Sequence, residues 1–598
     1  MILAEMLLAA LSVVRLGPSQ RPLYDAVFAP QVVAVPPTFA VRDLCELPDG
    51  RLRHYGTETV AGEKRAVYIE SDDLGLSWTK HLADPRDAGA MVQSPWSGDW
   101  LGLKTAKAGE KVRCVRSKIG PGDVNPEVTE LDILSCETRP PLALRSRRRW
   151  ICPLTDISGR GETYRGELAL SDDDGRTWRK VLLPDDGTLP PPETAAEGDL
   201  PRWFNAACEP TVTELSDGTL LMAVRSSFGH HYLYRSADGG ETWSKPEPME
   251  GFFATNTMPL FLRLRDGRLV FFWNNTVPLP RYRGEIAHAI TADEARGRWQ
   301  TAFTNRDALH AAISEDDGRT WRGFREIILN PIRNRPDFRE YLGRGAENDK
   351  SVHQLQALEL PDGKVLLALG QSPAARRIVL FDVRWLYETD RALDLRDGLE
   401  DVSLQLYVRS VSGGGRWGGH CAWERLPGAA LEVEPDQEKE VFAREALHLC
   451  RIRDPRLVSD RAGAVWNFPA SRTGCVEAEC RVDGEGFRLS LLDHWINPCD
   501  DCHARSAPVS IPVTAGTLGK KGVFAKLSVA WVEDGAVTVA VNGRKTAAVR
   551  ATIPKWGFSY LHLQTLAEAE DASGSWIRSL MKKSDAVRIQ SGEGGSDR

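Results

Sequence analysis

No apolar run in these 598 residues reaches the ~18 that a membrane span needs. Charge of one sign is not in excess either. The 76 basic residues face 83 acidic ones for a net of −7, so no basic face for nucleic acid is implied. A disulfide framework is missing, because the eleven cysteines are odd in number and scattered. There is no glycine-rich phosphate loop and no metal-ligand spacing, so no cofactor is expected. One short match, Cys499-Asp500-Asp501-Cys502-His503, has the form of a c-type haem attachment. It sits in a polar loop beside Pro498 without helical context, and a loop disulfide or two plain thiols is the expectation. The start, MILAEMLLAALSVV, is apolar, but Glu5 interrupts it and no Lys or Arg precedes it. It reads as a helix packed on the fold rather than a secretory leader.

What is present points to β-structure. With 52 glycines, 36 prolines, 18 tryptophans and many short alternating runs, the chain reads as all-β. Its length calls for two or three domains. A turn recurs four times: SDDLGLSW from Ser71, SDDDGRTW from Ser171, SADGGETW from Ser236 and SEDDGRTW from Ser314. Ser and Asp suit capping of backbone N–H groups, Gly the positive φ, and Trp packing beneath a hairpin. A second unit, strand–turn glycine–strand, recurs as LCELPDGRL, VTELSDGTL, LRLRDGRLV and LELPDGKVL. Together they give six sheet units, near 41–80, 89–120, 145–183, 207–245, 257–325 and 352–388. Radial repetition of four-stranded sheets is a β-propeller, here with six blades. The RSRRRW run at 145–150 reads as a charged strand edge that discourages edge pairing.

The stretch from Cys208 to Trp243 organises the rest. Glu209 lies nine residues before the turn glycine Gly218, and Arg225 seven after it. At about 3.3 Å per residue both side chains fall near one end of the hairpin. By itself such a pair is equally a structural ion pair.

The four turns resemble the Asp-boxes of the sialidase (neuraminidase) superfamily, whose members are six-bladed propellers. The resemblance covers roughly residues 30–390, and since those boxes lie on the blade periphery it speaks for fold alone. The spacing of Glu209, Gly218 and Arg225 reproduces the family's glutamate, turn glycine and arginine, and Arg306, eight residues before Ser314, fits a further family arginine. The resemblance implies arginines that hold a substrate carboxylate, since planar forks bind it bidentately and stay charged.

Departures from the pattern are equally definite. Where the family has its first arginine this chain has Ala40, and Arg42, two residues on, is the substitute. Where the family has its nucleophilic tyrosine stand His353 and Gln354, and the nearest tyrosine upstream is Tyr341. No aspartate matches the family's acid/base residue, for which Glu58 or Glu63 is the candidate. Each residue also has a plainer role open to it: Arg306 a loop charge, Arg42 a surface arginine, His353 a satisfied histidine, Tyr341 a loop aromatic.

Beyond about residue 390 the boxes stop. The expected organisation is an N-terminal segment 1–29, a propeller 30–390, an irregular connection 391–429, a β-sandwich 430–585 and a disordered tail 586–598. The sandwich strands, such as AVTVAVNGRK with its Asn542-Gly543 turn, are similar to the concanavalin-like or laminin-G-like jelly rolls appended to many glycosidases. The resemblance implies an exo-acting glycosidase releasing a terminal sialic acid or related 2-keto acid sugar, with Glu209 as base or electrostatic partner. It also implies an extracellular or periplasmic setting. Two other readings stand beside it: a hydrolase or lyase on another acidic sugar that uses His353 or Tyr341, and a glycan-binding protein without chemistry.

Overall fold

The computed structural model describes residues 27–38, 42–105, 110–135, 137–156, 165–184, 208–226, 229–254, 257–276, 306, 308–330, 352–371, 373, 375–395, 398–406, 424–425, 429–434, 445–452, 463–496, 498 and 507–584. The apolar start, the haem-like Cys499–His503 loop, Ala40, Tyr341 and the tail lie outside them.

Small antiparallel sheets dominate. Sheet one is built of Leu44–Glu46, Leu52–Val60, Glu63–Ser71 and Thr79–Leu82, in that order. Sheet two follows with Val92–Gln93, Trp100–Lys104, Glu110–Ser117 and Glu127–Ser135. In sheet three the first strand is split into Glu137–Thr138 and Leu142–Ala143, both paired with Trp150–Asp156, ahead of Arg165–Ser171 and Arg179–Leu182. Pro140 and Pro141, which have no N–H to donate, occupy the gap. Sheet four runs Cys208–Glu214, Leu220–Arg225, His230–Ser236 and Glu247–Phe253, and sheet five Leu260–Arg263, Leu269–Trp273, Ala308–Ser314 and Arg322–Leu329. Sheet six has Gln356–Glu359, Lys364–Leu369 and Arg377–Asp382, and takes its fourth strand, Gln31–Ala34, from the other end of the chain. That strand was not among the six expected units.

Each sheet packs on the next through apolar side chains. Ile151 and Leu168 meet Leu220 and Met222 between sheets three and four, and Val270 and Phe272 meet Val365 and Leu367 between five and six. Leu44 and Leu52 of sheet one meet Leu366 and Leu380 of sheet six, so the last sheet packs on the first. Middle strands are buried on both faces, which is why Leu220–Arg225 reads LLMAVR without alternation. This is the packing order of a six-bladed propeller.

The four repeated turns share one hydrogen-bond pattern, each after the third strand of its sheet. In the third copy Gly240 N–H donates to Ser236 Oγ at 2.8 Å, and Ser236 Oγ–H to Asp238 at 2.8 Å. Thr242 N–H donates to Asp238 at 3.0 Å, and Trp243 Nε1–H to the Gly240 carbonyl at 3.1 Å. The arginine run at 145–150 forms the first turn of sheet three and anchors it to neighbours: Arg149 pairs with Asp172 at 2.6 Å and Glu241 at 2.8 Å.

The C-terminal third is dominated by two sheets packed face to face. The larger holds Ala429–Val433, Glu445–Arg451, Asp571–Lys583, Gly474–Val482, Ala525–Trp531, Ala536–Val541 and Arg544–Arg550. The smaller holds Val402–Ser403, Gly463–Ser471, Phe558–Thr565, Phe487–Leu492 and Val509–Val513. Val476, Ala478, Leu527 and Val529 of one face meet Trp466, Phe468, Leu489 and Leu561 of the other in a single core. The expected irregular connection is in part sheet, because Arg391–Asp394 pairs with Asp571–Lys583 and Val402–Ser403 with Gly463–Ser471.

Sandwich and propeller are joined by buried polar contacts. The Tyr560 hydroxyl donates to Glu326 at 2.6 Å and bonds His310. Asn467 donates to the Phe324 carbonyl at 3.0 Å and accepts from Glu326 N–H at 3.0 Å. At the cavity end of sheet five, Trp495 N–H donates to the Asn275 carbonyl at 2.9 Å and Asn275 Nδ2 to the Asp493 carbonyl at 2.8 Å. No helix among the described residues is long and apolar enough to cross a membrane. Tyr560→Phe removes the hydroxyl shared by Glu326 and His310 at almost constant volume. It should cost about 1–3 kcal/mol, since a half-buried carboxyl acceptor loses a donor. Equal denaturation midpoints for Tyr560→Phe and the parent would show that this joint carries no stability.

Candidate active site

A repeated hydrogen bond sets the register of the inner strands. Where each first hairpin begins, a leucine N–H donates across it: Leu47 to Arg51 at 2.7 Å, Leu144 to Arg149 at 2.9 Å, Leu215 to Thr219 at 2.8 Å, Leu264 to Arg268 at 2.8 Å and Leu360 to Lys364 at 2.8 Å. Counting back from these leucines reaches the opposite end of each inner strand. Five residues back stand Arg42 and Arg139, and six back stand Glu209, Met258 and Gln354. The inner strands enclose a cavity of about 1050 Å³, to which every sheet contributes, with Leu44, Val92, Leu142, Val212, Leu260 and Leu358 on its wall.

Glu209 is aimed by its backbone. The pairing of its strand shifts register between Cys208 and Thr211, and Glu209 itself sits at φ 45°. A bulge re-aims a side chain, and a non-glycine residue in this region costs roughly 1–3 kcal/mol unless its surroundings hold it there. Those surroundings are visible. Glu209 N–H donates to Thr155 Oγ1 at 3.1 Å, Arg225 Nη1 to Glu209 Oε2 at 2.6 Å, and Gln354 Nε2 to Oε1 at 3.4 Å. Gln354, at the same register position of sheet six, is also left-handed, at φ 63°. Burial pushes the Glu209 carboxyl up, but the charges of Arg225 and then Arg139 outweigh it and hold the group well below the usual carboxylate range.

Arg306 and His353 form a second buried pair, with Arg306 Nη1 2.7 Å from His353 Nε2. A guanidinium only donates, so Nε2 is the acceptor in this contact. The Arg306 carbonyl accepts from Val352 N–H at 2.8 Å, which fastens the arginine to the chain entering sheet six. Arg42 lines the cavity, its Nη1 donating to Thr138 Oγ1 at 2.6 Å and Thr105 Oγ1 at 3.3 Å, and its Nη2 to the Thr105 carbonyl at 3.0 Å.

The structure thus brings Glu209, Arg225 and Gln354 together and pairs Arg306 with His353. Glu58 is not on the cavity wall. It pairs with Lys80 at 2.6 Å on the far part of a long hairpin, and the exposed Glu63 pairs with Arg65 at 3.2 Å. Both are drawn away because that hairpin runs on past the cavity to Val60. Three residues at the site went unread in the sequence. Arg139 lines the cavity, donates to Met258 Sδ and acts on Glu209. Asp43 and Lys104 line the same cavity. Arg139 could have been found by counting five residues back from Leu144, as Arg42 stands before Leu47. Among the described residues no cluster of three or more His, Cys, Asp and Glu is arranged to hold a metal.

Because the folded Glu209 binds its proton more weakly than the unfolded chain does, its stabilisation is complete above about pH 4.5. It is lost as pH falls through the depressed value. Glu209→Gln should therefore be less stable at pH 7, by about 3–5 kcal/mol, because Arg225 keeps a buried charge without its counter-ion. Its stability should also fall less steeply below pH 4.5, by up to about 1.4 kcal/mol per pH unit. Parallel acid limbs for parent and variant in denaturant titrations would contradict the pairing.

Comparison with known proteins adds a domain match. Residues 129–417 match the BNR repeat-like domain. Among solved structures the chain is similar to the Trypanosoma rangeli sialidase in complex with sialic acid, at 13% identity over 94% of this chain and 95% of that one, TM-score 0.33. It is also similar to a point mutant of NanB sialidase from Streptococcus pneumoniae, at 15% identity over 60% of this chain and 71% of that one, TM-score 0.37. A Dyadobacter fermentans protein of unknown function is similar at 16% identity over 59% and 96%, TM-score 0.35. No curated protein matches. The matched span holds three of the four repeated turns and every strand of sheets three to six except Gln31–Ala34.

Proposed function

We propose that the protein is an exo-acting glycoside hydrolase that releases a terminal sialic acid or a related acidic sugar. The observation that carries this is a set of guanidinium groups at one end of the inner strands, of which Arg225 and Arg139 act on the ionised Glu209. Arg42 and Arg139 stand on the cavity wall, Arg225 is bonded to Glu209, and Arg306 is bonded to His353 beside Gln354. Such an excess of fixed positive charge favours an anionic ligand, and planar forks favour a carboxylate. Glu209 acts as an electrostatic partner rather than a proton acceptor, since a carboxylate held far below its usual range is a weak base. Its pairing holds Arg225 in place.

Tyr341 is the candidate nucleophile of a double-displacement route, a neutral group suited to attack on an anionic sugar. His353 supports the competing water-activating route less well, because its Nε2 is engaged by Arg306. NMR of the first-formed anomer distinguishes them. Retained configuration that disappears in Tyr341→Phe and survives in His353→Ala is the expected result, and inversion would refute it.

The grip on the carboxylate has its own test. Arg225→Lys should reduce kcat/KM on a sialoside nearly as much as Arg225→Ala, because a point charge does not replace a bidentate fork. Activity surviving the lysine with little loss would remove Arg225 from the binding site. No turnover of any acidic glycoside by the parent would leave a glycan-binding protein.

A further inference from the structure

Two asparagines that the carboxylate grip does not use follow the second strand of sheet five. That strand, Leu269–Trp273, is apolar throughout, whereas Asn274 and Asn275 place amides where both are fully buried. A buried amide is costly unless its polar atoms find partners, so the partners are informative. Asn274 Nδ2 donates to the Ala308 carbonyl at 2.6 Å and to the Val352 carbonyl at 3.3 Å. Ala308 lies two residues after Arg306, and Val352 directly before His353. One amide thus grips both chain segments that carry the Arg306–His353 contact. Val352 N–H closes the ring by donating to the Arg306 carbonyl at 2.8 Å. The segment is fastened further on as well. The His353 carbonyl accepts from Gly370 N–H at 2.7 Å, and Gln354, the next residue, reaches Glu209.

Asn275 faces the sandwich. Its Nδ2 donates to the Asp493 carbonyl at 2.8 Å, and its own carbonyl accepts from Trp495 N–H at 2.9 Å. Thr276 continues this contact as a parallel bridge to Trp495. Asn275 N–H donates to His310 Nδ1 at 3.0 Å, and the other nitrogen of that ring meets the Tyr560 hydroxyl. The partners in Asp493 and Trp495 are main chain, so they cannot swing away as a side chain can. The stretch that follows the sandwich strand Phe487–Leu492 therefore fixes where Asn275 sits, and with it the neighbouring Asn274. A guanidinium binds a carboxylate bidentately only with its fork in the carboxylate plane, so a small shift of its backbone loses one of the two bonds. Arg306 stands ahead of the paired strand Ala308–Ser314, where contacts of this kind set its place. We propose that Asn274 is a positioning residue for the Arg306–His353 pair, and that the sandwich sets its place through Asn275. The sandwich is then a working part of the anion grip, not only a module joined to it. This rests on the carboxylate-binding reading of the site given above.

The test uses the full chain, a 4-nitrophenyl sialoside for kcat and KM, and calorimetry for the Kd of sialic acid. Asn274→Asp keeps the shape and removes both donors, while Asn274→Ser keeps one. Denaturation midpoints show which of them is folded and can be read. Asn274→Asp should raise KM and Kd about 10-fold or more with a smaller change in kcat, and Asn274→Ser should raise them less. Asn275→Ala, which touches the sandwich and no ligand, should shift KM and Kd in the same direction. In an Arg306→Lys background, Asn274→Ser should cost little more, because the lysine has no fork to misplace. Unchanged KM and Kd, or losses that simply multiply in the Arg306→Lys background, would overturn the positioning role and leave the glycosidase reading intact. A shift in the Asn274 variants with none in Asn275→Ala would overturn the part given to the sandwich. An inactive parent that still binds sialic acid would remove the glycosidase reading, and the Kd comparison would decide the positioning role. A parent that does neither would overturn both.

Discussion

A carboxylate buried as deeply as Glu209 stays ionised only beside a cation, and much of the site follows from that constraint. Arg225 supplies the charge from the next strand of the same hairpin, Arg139 adds to it from sheet three, and Gln354 reaches across from sheet six. Three sheets thus commit polar groups to one oxygen pair. The positive φ at Glu209 and Gln354 is the conformational cost of pointing both side chains to the same place. A fold without fixed neighbours on each side would relax those residues. Here the strands behind them are packed on both faces.

The same packing explains what the sequence could and could not show. Glu209 and Arg225 were legible because they lie on two strands of one hairpin, where spacing alone sets their alignment. The four box turns were legible because their bonds are local, each spanning four residues or fewer. Arg139 escaped because Pro140 and Pro141 interrupt its strand, and the run of arginines that follows hides the turn from which it could be counted. Asp43 reads as an ordinary acidic residue until the second sheet brings Lys104 beside it. Glu58 was a reasonable choice by chain position, but the hairpin carrying it extends beyond the cavity. In each case the missing information was the placement of one sheet against another, which no local pattern encodes.

The sandwich is tied in at two levels. Tyr560 and Asn467 meet the outer strand of sheet five, and Trp495 and Asp493 hold Asn275 at its cavity end. One residue before Asn275, Asn274 donates to the Val352 carbonyl at 3.3 Å, and Val352 N–H is bonded to Arg306. A short run of hydrogen bonds therefore leads from the sandwich to an arginine of the candidate site.

The strand Gln31–Ala34 has a consequence for how the protein is made. Its partner Arg377–Asp382 is synthesised more than three hundred residues after it. Until then the sixth sheet lacks an edge and the first sheet lacks the neighbour that covers Leu44 and Leu52. Contacts this far apart in sequence form slowly, because a long loop must close before any pairing repays it. The nascent chain must therefore carry an unsatisfied strand and an open apolar face while the residues between them are made, a state in which pairing with the wrong edge is the main hazard.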